Sequence, residues 1–312
     1  MAPHAREITY RAALNEALRE QMRRDPTVFV MGENIGERGG SFKVTVDLLK
    51  EFGPKRVIDT PLAEAGFTGV AVGAAITGMR PVVEILFVDF ATLIMDQMVN
   101  QAAKSRFMTG FANRVPMVMR TQQGVGHGLA AQHSQSLEAW FYHVPGLRLV
   151  MPSCPADAKG LLTASIRDDN PVVFLEHKNL YTHTGPVPEH DYVVELGRGD
   201  IKRSGKDITI IAWSLMVSRA LEAAAELAAE GIDAEVVDPR TLVPLDRELL
   251  LESVRKTGRA VIVQEAVRRG GVASDIASII QERAFDYLRA PIAMPAGANT
   301  PIPFNQTLQR DC

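Results

Sequence analysis

Short runs of β-branched and aromatic residues alternate with longer segments of helical period along nearly the whole chain. Residues 28–31, 56–59, 81–88, 115–120, 147–151 and 172–176 read as strands. Several are apolar without alternation, as in Val82-Val83-Glu84-Ile85-Leu86-Phe87-Val88, the pattern of a strand covered by helices on both faces. That predicts a parallel, doubly wound sheet. Between the strands, residues 9–24 read as a helix with Thr9 as N-cap, Leu14, Ala17, Leu18 and Met22 on one face, and a stop at Asp25-Pro26. Residues 64–77 and 92–107 predict two more helices. The first of these carries Gly66, Gly69 and Gly73. Each costs about 1 kcal/mol against alanine inside a helix, so the pattern predicts that something packs tightly against it.

From Thr182 to about Asp200 the periodicity lapses into Gly, Pro, His and charged residues, the composition of a linker. It resumes with strands at 208–213, 234–237 and 260–264 and helices at 217–229, 246–256 and 271–285. The predicted fold class is therefore α/β with two doubly wound domains, the second smaller than the first.

With 312 residues the chain is long enough for each domain to bury its own core. Lys plus Arg number 34 against 37 Asp plus Glu, a formal charge of −3, which disfavours nucleic acid as a partner. Two cysteines, Cys154 and Cys312, make neither a disulfide framework nor a zinc site and fit a reducing compartment. No stretch has the roughly 18 uninterrupted apolar residues of a membrane span, and the N-terminal stretch lacks the apolar region of a secretory leader. The expected location is the cytoplasm, away from any membrane.

Polar residues cluster where predicted strands end. The loop Gly124-Val125-Gly126-His127-Gly128 is G-x-G-x-G, without the third glycine of the dinucleotide fingerprint, and reads as a flexible turn at a strand's carboxyl end. Six of the seven histidines lie between His127 and His190, but none is paired at the i, i+4 spacing of a helical zinc site. His133 sits in the polar island Gln132-His133-Ser134-Gln135, just past that loop, where open α/β sheets place ligands. By position alone it is as readily a capping histidine as a catalytic one. Glu33 and Glu64 each follow a strand, and Glu64 opens the glycine-bearing helix, where a carboxylate also suits the helix dipole. Two carboxylates and a histidine at sheet edges are the ingredients of acid/base chemistry.

The segments Met31-Gly32-Glu33, Asp59-Thr60-Pro61-Leu62-Ala63-Glu64, Gly78-Met79-Arg80-Pro81, Asp96-Gln97 with Asn100, Ala131-Gln132-His133-Ser134-Gln135, Asp169-Asn170-Pro171 and 238–246 occur in one order. Together they resemble the β subunit of the E1 component of 2-oxo acid and acetoin dehydrogenase complexes, in the transketolase-like thiamin diphosphate family. The resemblance runs from about Ile8 to Phe304. It implies a pyrimidine-binding domain over 5–182, a linker over 183–200 and a transketolase C-terminal-like domain over 201–312. It also implies a cofactor, thiamin diphosphate, whose aminopyrimidine N1′ would bond Glu64. Phe90 matches the aromatic position that packs on the pyrimidine, and His133 the histidine serving substrate binding and transfer to lipoamide. Glu33 matches a further active-site acid. In some relatives the segment 168–170 contributes to a potassium site through backbone and side-chain oxygens, which makes Asp168 and Asn170 expected ligands of K+.

The family's diphosphate motif begins Gly-Asp-Gly, and this chain has no Gly-Asp-Gly. The resemblance therefore implies that Mg2+ and diphosphate are held by an E1 α subunit in an α2β2 tetramer. The acyl unit from acetoin, pyruvate or a branched 2-oxo acid would pass to a lipoyl-bearing E2 acyltransferase, and the run 131–140 looks most like acetoin-type subunits. Two other readings are a subunit of a split transketolase and a non-catalytic assembly subunit. Relatives continue past Phe304 by a further helix, whereas this chain stops at Cys312.

Overall fold

Successive residues of the central strands go to opposite faces of one sheet, and both faces are apolar. In the computed structural model Phe29, Met31, Val83, Ile85, Met119, Val173 and Leu175 join one buried cluster. Val28, Val30, Val82, Val118, Val172 and Phe174 join another on the reverse face. This two-sided burial is the physical reason that these strands read as unbroken hydrophobic runs. The structure describes residues 5–312; residues 1–4, part of the N-terminal stretch read above for a leader, lie outside the described residues.

The strands are β1 (Ala5–Thr9), β2 (Val28–Gly32), β3 (Val57–Asp59), β4 (Arg80–Ile85), β5 (Val118–Gln123), β6 (Arg148–Val150), β7 (Val172–His177), β8 (Thr184–Pro188), β9 (Asp200–Arg203), β10 (Ile208–Ala212), β11 (Ala234–Asp238), β12 (Thr241–Val243) and β13 (Ala260–Val263). The α-helices are α1 (Tyr10–Arg24), α2 (Leu48–Phe52), α3 (Glu64–Ile76), α4 (Ala103–Met108), α5 (Glu138–Tyr142), α6 (Pro155–Arg167), α7 (Leu215–Ala229), α8 (Arg247–Thr257), α9 (Val272–Ala284) and α10 (Gln306–Gln309). A seven-stranded sheet has the order β12-β6-β7-β5-β4-β2-β3, and a four-stranded sheet the order β13-β10-β11-β9. Both are mixed at one edge, because β12 runs antiparallel to β6 and β9 antiparallel to β11. The expected all-parallel sheets are corrected to that extent.

Helix α1 forms as its pattern predicts: Thr9 accepts a hydrogen bond from the Ala12 N–H at 3.3 Å, and Leu14, Ala17, Leu18 and Met22 are buried. The stretch predicted as one helix over 92–107 is instead a 3₁₀ segment (Val88–Ile94), a π turn (Asp96–Ala102) and α4. The π turn buries Met98 and Ala102, and Asn100 donates to Asp96 across it at 2.7 Å. Strand β4 stops at Ile85 rather than reaching Val88, since the backbone turns out of the sheet at Phe87 with φ +69°. Strand β5 runs further than its apolar residues do, through the buried polar run Thr121-Gln122-Gln123. Within the stretch read as linker, Thr184–Pro188 pairs antiparallel with β1, so those residues are held in a two-stranded ribbon.

The two sheets share one hydrophobic core. The cluster containing Met31, Ile85 and Met119 continues through Trp213, Leu250, Leu251, Val254, Ile262, Ile276 and Ile280 of the second unit. Strand β12 also crosses over to complete the edge of the large sheet.

At the centre of the large sheet, on β5, Arg120 is fully buried. It donates bidentately to Glu176 of β7 at 2.6 and 2.8 Å and to Glu84 of β4 at 2.9 Å. Removing the cation alone leaves two buried carboxylates unpaired. Arg120→Met should therefore destabilise the fold by about 3–5 kcal/mol, read as a lowered denaturant midpoint, whereas an exposed control such as Arg38→Met should change little.

Candidate active site at the carboxyl edge of the large sheet

All the parallel strands of the large sheet end on one edge, and loops from five adjacent strands bring polar residues there, the place where open α/β sheets bind ligands. Glu33 follows β2, Glu64 follows β3, the 3₁₀ segment with Phe90 follows β4, the Gly124–Gly128 loop and His133 follow β5, and His177-Lys178 close β7.

The two carboxylates are brought together by lacing between their loops. The Asp59 carboxylate accepts the Gly36 N–H at 2.7 Å, and Thr60 N–H donates to the Gly32 carbonyl at 3.0 Å. A Cβ on Gly36 would stand 2.6 Å from an Asp59 oxygen, so this close approach excludes a side chain. Burial, and then the Glu64 carboxylate beside it, push the Glu33 carboxyl above its ordinary value. Glu33 Oε1 is buried without a hydrogen-bond partner. A carboxyl in this state is suited to holding a proton or accepting a donor brought by a ligand.

The second grouping is aromatic. Phe90 meets the His133 ring edge-on at 5.3 Å and 90°, and Phe87 meets it at 4.8 Å and 68°. Phe87 holds its positive φ because its N–H donates to Gln122 at 3.1 Å from the end of β5. A non-glycine residue there stores strain of the kind found at functional sites. Asp89 accepts from the Gln135 N–H and side chain at 3.3 and 2.8 Å, and its Oδ2 is buried without a partner. Lys178 donates to the His133 carbonyl, lies 5.3 Å from the Phe87 ring centroid, and is pulled down to about 8 by burial.

The sheet edge thus unites Glu33, Glu64, Phe90 and His133, and it adds Phe87, Asp89, Gln122 and Lys178, none of which the sequence marks as a site residue. The sequence signal for Gln122 is the polar run that ends β5, and for Lys178 the His-Lys pair at the end of β7. Asp168 and Asn170 lie elsewhere, at the opposite edge where β7 begins. Asp168 Oδ1 accepts the Asn170 N–H and side chain, both at 2.7 Å. Asp168 Oδ2 lies 2.7 Å from Arg148, and Asn170 Oδ1 accepts from Arg106 at 2.5 Å. The side-chain oxygens of both residues are thus already engaged within this chain, and the Asp168 carbonyl accepts from Arg80 at 3.0 Å.

A cavity of about 750 Å³ lies behind the His133 segment, between Ser134, Leu137, Met216 and Ala298. It is lined by neither acid, nor by Phe90 or His133. The chemistry-bearing groups instead border an open face. On it, Leu62 is 82% and Val70 62% exposed, and the Gly66, Gly69 and Gly73 side of α3 faces solvent. A Cβ on Gly73 would meet nothing within 4 Å, and one on Gly66 or Gly69 would make only ordinary contacts. The tight packing expected on these glycines is therefore not supplied by this chain. Phe107, Met108 and Phe111 are also exposed. Among the described residues no cluster of three or more His, Cys, Asp or Glu side chains is arranged to hold a metal ion, and no helix is long and apolar enough to cross a membrane.

The sequence pattern of the transketolase pyrimidine binding domain matches residues 6–184, and that of the transketolase C-terminal domain matches residues 197–311. The chain is 48% identical to the pyruvate dehydrogenase E1 component subunit beta of Rhizobium meliloti, over 97% of this chain and 66% of that protein. It is 49% identical to the acetoin:2,6-dichlorophenolindophenol oxidoreductase subunit beta of Cupriavidus necator, over 98% of this chain and 93% of that one. Among solved structures, a split gene transketolase described as an inactive beta4 tetramer superposes with a TM-score of 0.80 at 26% identity, covering 97% of this chain and 93% of that chain. The chain belongs to the transketolase-like family of thiamin diphosphate enzymes, among the β subunits of pyruvate dehydrogenase E1 and acetoin-oxidising enzymes.

Proposed function

We propose that this chain is the β subunit of a cytoplasmic thiamin diphosphate-dependent E1 that acts on a 2-oxo acid or acetoin and passes the acyl unit to a lipoyl-bearing E2. Its site is completed by an α subunit in an α2β2 assembly. The observation that carries the reading is the acid pair: Glu33, with a raised carboxyl and an orphaned buried oxygen, stands beside Glu64 on the sheet edge that also bears Phe90 and His133. Higher identity to E1-type β subunits than to the split transketolase favours this reading over a transketolase subunit. A mere assembly subunit has no use for a histidine lined by two aromatic rings, one of them on a strained backbone.

These residues fit the pyrimidine half of the cofactor. Glu64 would hold the aminopyrimidine N1′, where a carboxyl able to share a proton is needed. Phe90 would offer a ring face for packing, and Glu33 would keep a proton available at the buried end of the acid pair. When bound, thiamin diphosphate supplies the carbanion-stabilising thiazolium, and the protein positions it. His133 would hold or release a proton where substrate and lipoyl group meet, and Lys178 and Asp89 fix its segment. Magnesium and the diphosphate are assigned to the α subunit, because no Gly-Asp-Gly occurs here. The open glycine face of α3 and the exposed Phe107, Met108 and Phe111 are where a partner chain would seat.

Purified alone, this chain should show negligible magnesium-dependent binding of thiamin diphosphate by calorimetry, and adding the α subunit should create the site. Tight binding by the isolated chain would contradict the proposal. In the assembled enzyme Glu64→Gln should slow hydrogen–deuterium exchange at the cofactor C2 by about 10²–10⁴-fold while assembly persists. Unchanged exchange would remove Glu64 from that role. His133→Ala should reduce acylation of lipoamide more than turnover with an artificial electron acceptor. Equal losses would make His133 a cofactor- or substrate-binding residue instead.

A further inference from the structure

The segment that carries His133 is held from the far side by a carboxylate of the second domain. Glu265, which follows β13, accepts the Val125 N–H on Oε1 at 2.7 Å, and its Oε2 lies 2.6 Å from Nε2 of the fully buried His177. His177 Nδ1 accepts the Asn179 N–H at 3.1 Å, so the ring proton resides on Nε2 and is donated to Glu265. Asn179 in turn donates from its side chain to the Val125 carbonyl at 3.2 Å. Both polar groups of one loop peptide position are thus gripped, one from each domain.

Two glycines of this loop, Gly124 and Gly126, make room for that grip. A Cβ on Gly124 would stand 2.0 Å from His177 Nε2, and one on Gly126 would stand 2.3 Å from the Asn179 side chain. Both glycines also have positive φ, +94° and +119°. Gly124 N–H then donates to the Gln135 carbonyl at 3.0 Å, closing the loop onto the far side of His133. Lys178, adjacent to His177, donates to the His133 carbonyl itself. Burial works against an ionised Glu265, but His177, the Val125 N–H and Lys178 together hold its carboxyl below the ordinary value.

We propose that Glu265 is a positioning residue: through the Val125 N–H and His177 it clamps the Gly124–Gly128 loop and so sets the placement of His133 from the second domain. This deepens the reading of His133 as the acyl-transfer histidine and rests on it, whereas the clamp itself can be measured without any reaction. A carboxylate is required because both neighbours are donors. An amide of the same shape has one oxygen and presents N–H groups to the other donor.

The test is amide hydrogen exchange on the α-assembled enzyme, with mass spectrometry resolving the peptides over 124–136, alongside the two half-reactions. Glu265→Gln should speed exchange in those peptides by about tenfold to hundredfold, the factor that goes with losing one hydrogen bond to a charged group. Peptides of α1 and α6 should be unchanged. Lipoamide acylation should fall by a larger factor than turnover with an artificial acceptor. Two His177 variants supply an independent arm should the Glu265 variant fail to assemble. His177→Phe removes the donor and should loosen the same peptides, and His177→Gln, whose side-chain N–H can occupy the place of Nε2 and donate to Glu265, should restore protection. Unchanged exchange over 124–136, or exchange raised throughout the chain, would overturn the clamp. Loosened peptides with both half-reactions reduced equally would leave the grip on the loop intact but refute the placement of His133 for acyl transfer.

Discussion

A single buried cation organises the large sheet. Arg120 cannot reach water from the middle of β5, so it requires the carboxylates of Glu84 and Glu176 on the strands either side, and this fixes β4, β5 and β7 against one another. A buried ion triad need not add net stability over an apolar core, but it tolerates few alternative arrangements once formed. The constraint propagates outward. Tyr181 donates to Glu176 at 2.6 Å, its ring stacks on Phe42 at 4.8 Å, Phe42 meets Phe87 edge-on at 5.9 Å, and Phe87 meets His133. A continuous chain of contacts therefore links the charged centre of the sheet to the imidazole at its edge.

The two domains are joined by more than a linker. Beyond the shared apolar core, Asp157 of α6 lies 2.5 Å from Lys202 and 2.8 Å from Arg240, and Ser153 donates to the buried Asp238 at 2.5 Å. Burial pushes the Cys154 thiol up to about 12, so it is a packing residue in this network rather than a nucleophile. Together with the Glu265 contact to the Val125 N–H, these interactions make the second domain part of the support for the candidate site of the first.

That edge lies open to solvent. Its acids, aromatic rings and histidine border an exposed surface in which glycine occupies the outward side of a helix, at a cost in helix propensity that nothing in this chain repays. A surface of that kind makes sense where a second backbone approaches, and it is consistent with a site built between subunits.

The sequence by itself determined the alternation of elements, the two-sided burial of the central strands and the start of α1 at Thr9, because periodicity and capping are local. It also marked Glu33, Glu64, Phe90 and His133, since motif order survives without coordinates. It misjudged the stretch after β4, where a continuous helical period hid a strained turn at Phe87, a 3₁₀ segment and a π turn, all imposed by packing against β5 and α3. It also could not show that Arg148 meets the Asp168 carboxylate and Arg106 the Asn170 side chain. Only the tertiary structure decided that Glu33 is unpaired beside Glu64, that Lys178 reaches the His133 carbonyl, and that Glu265 crosses from the other domain to His177. Each of these depends on groups far apart in sequence meeting in a desolvated place, and no local pattern of residues encodes such a meeting.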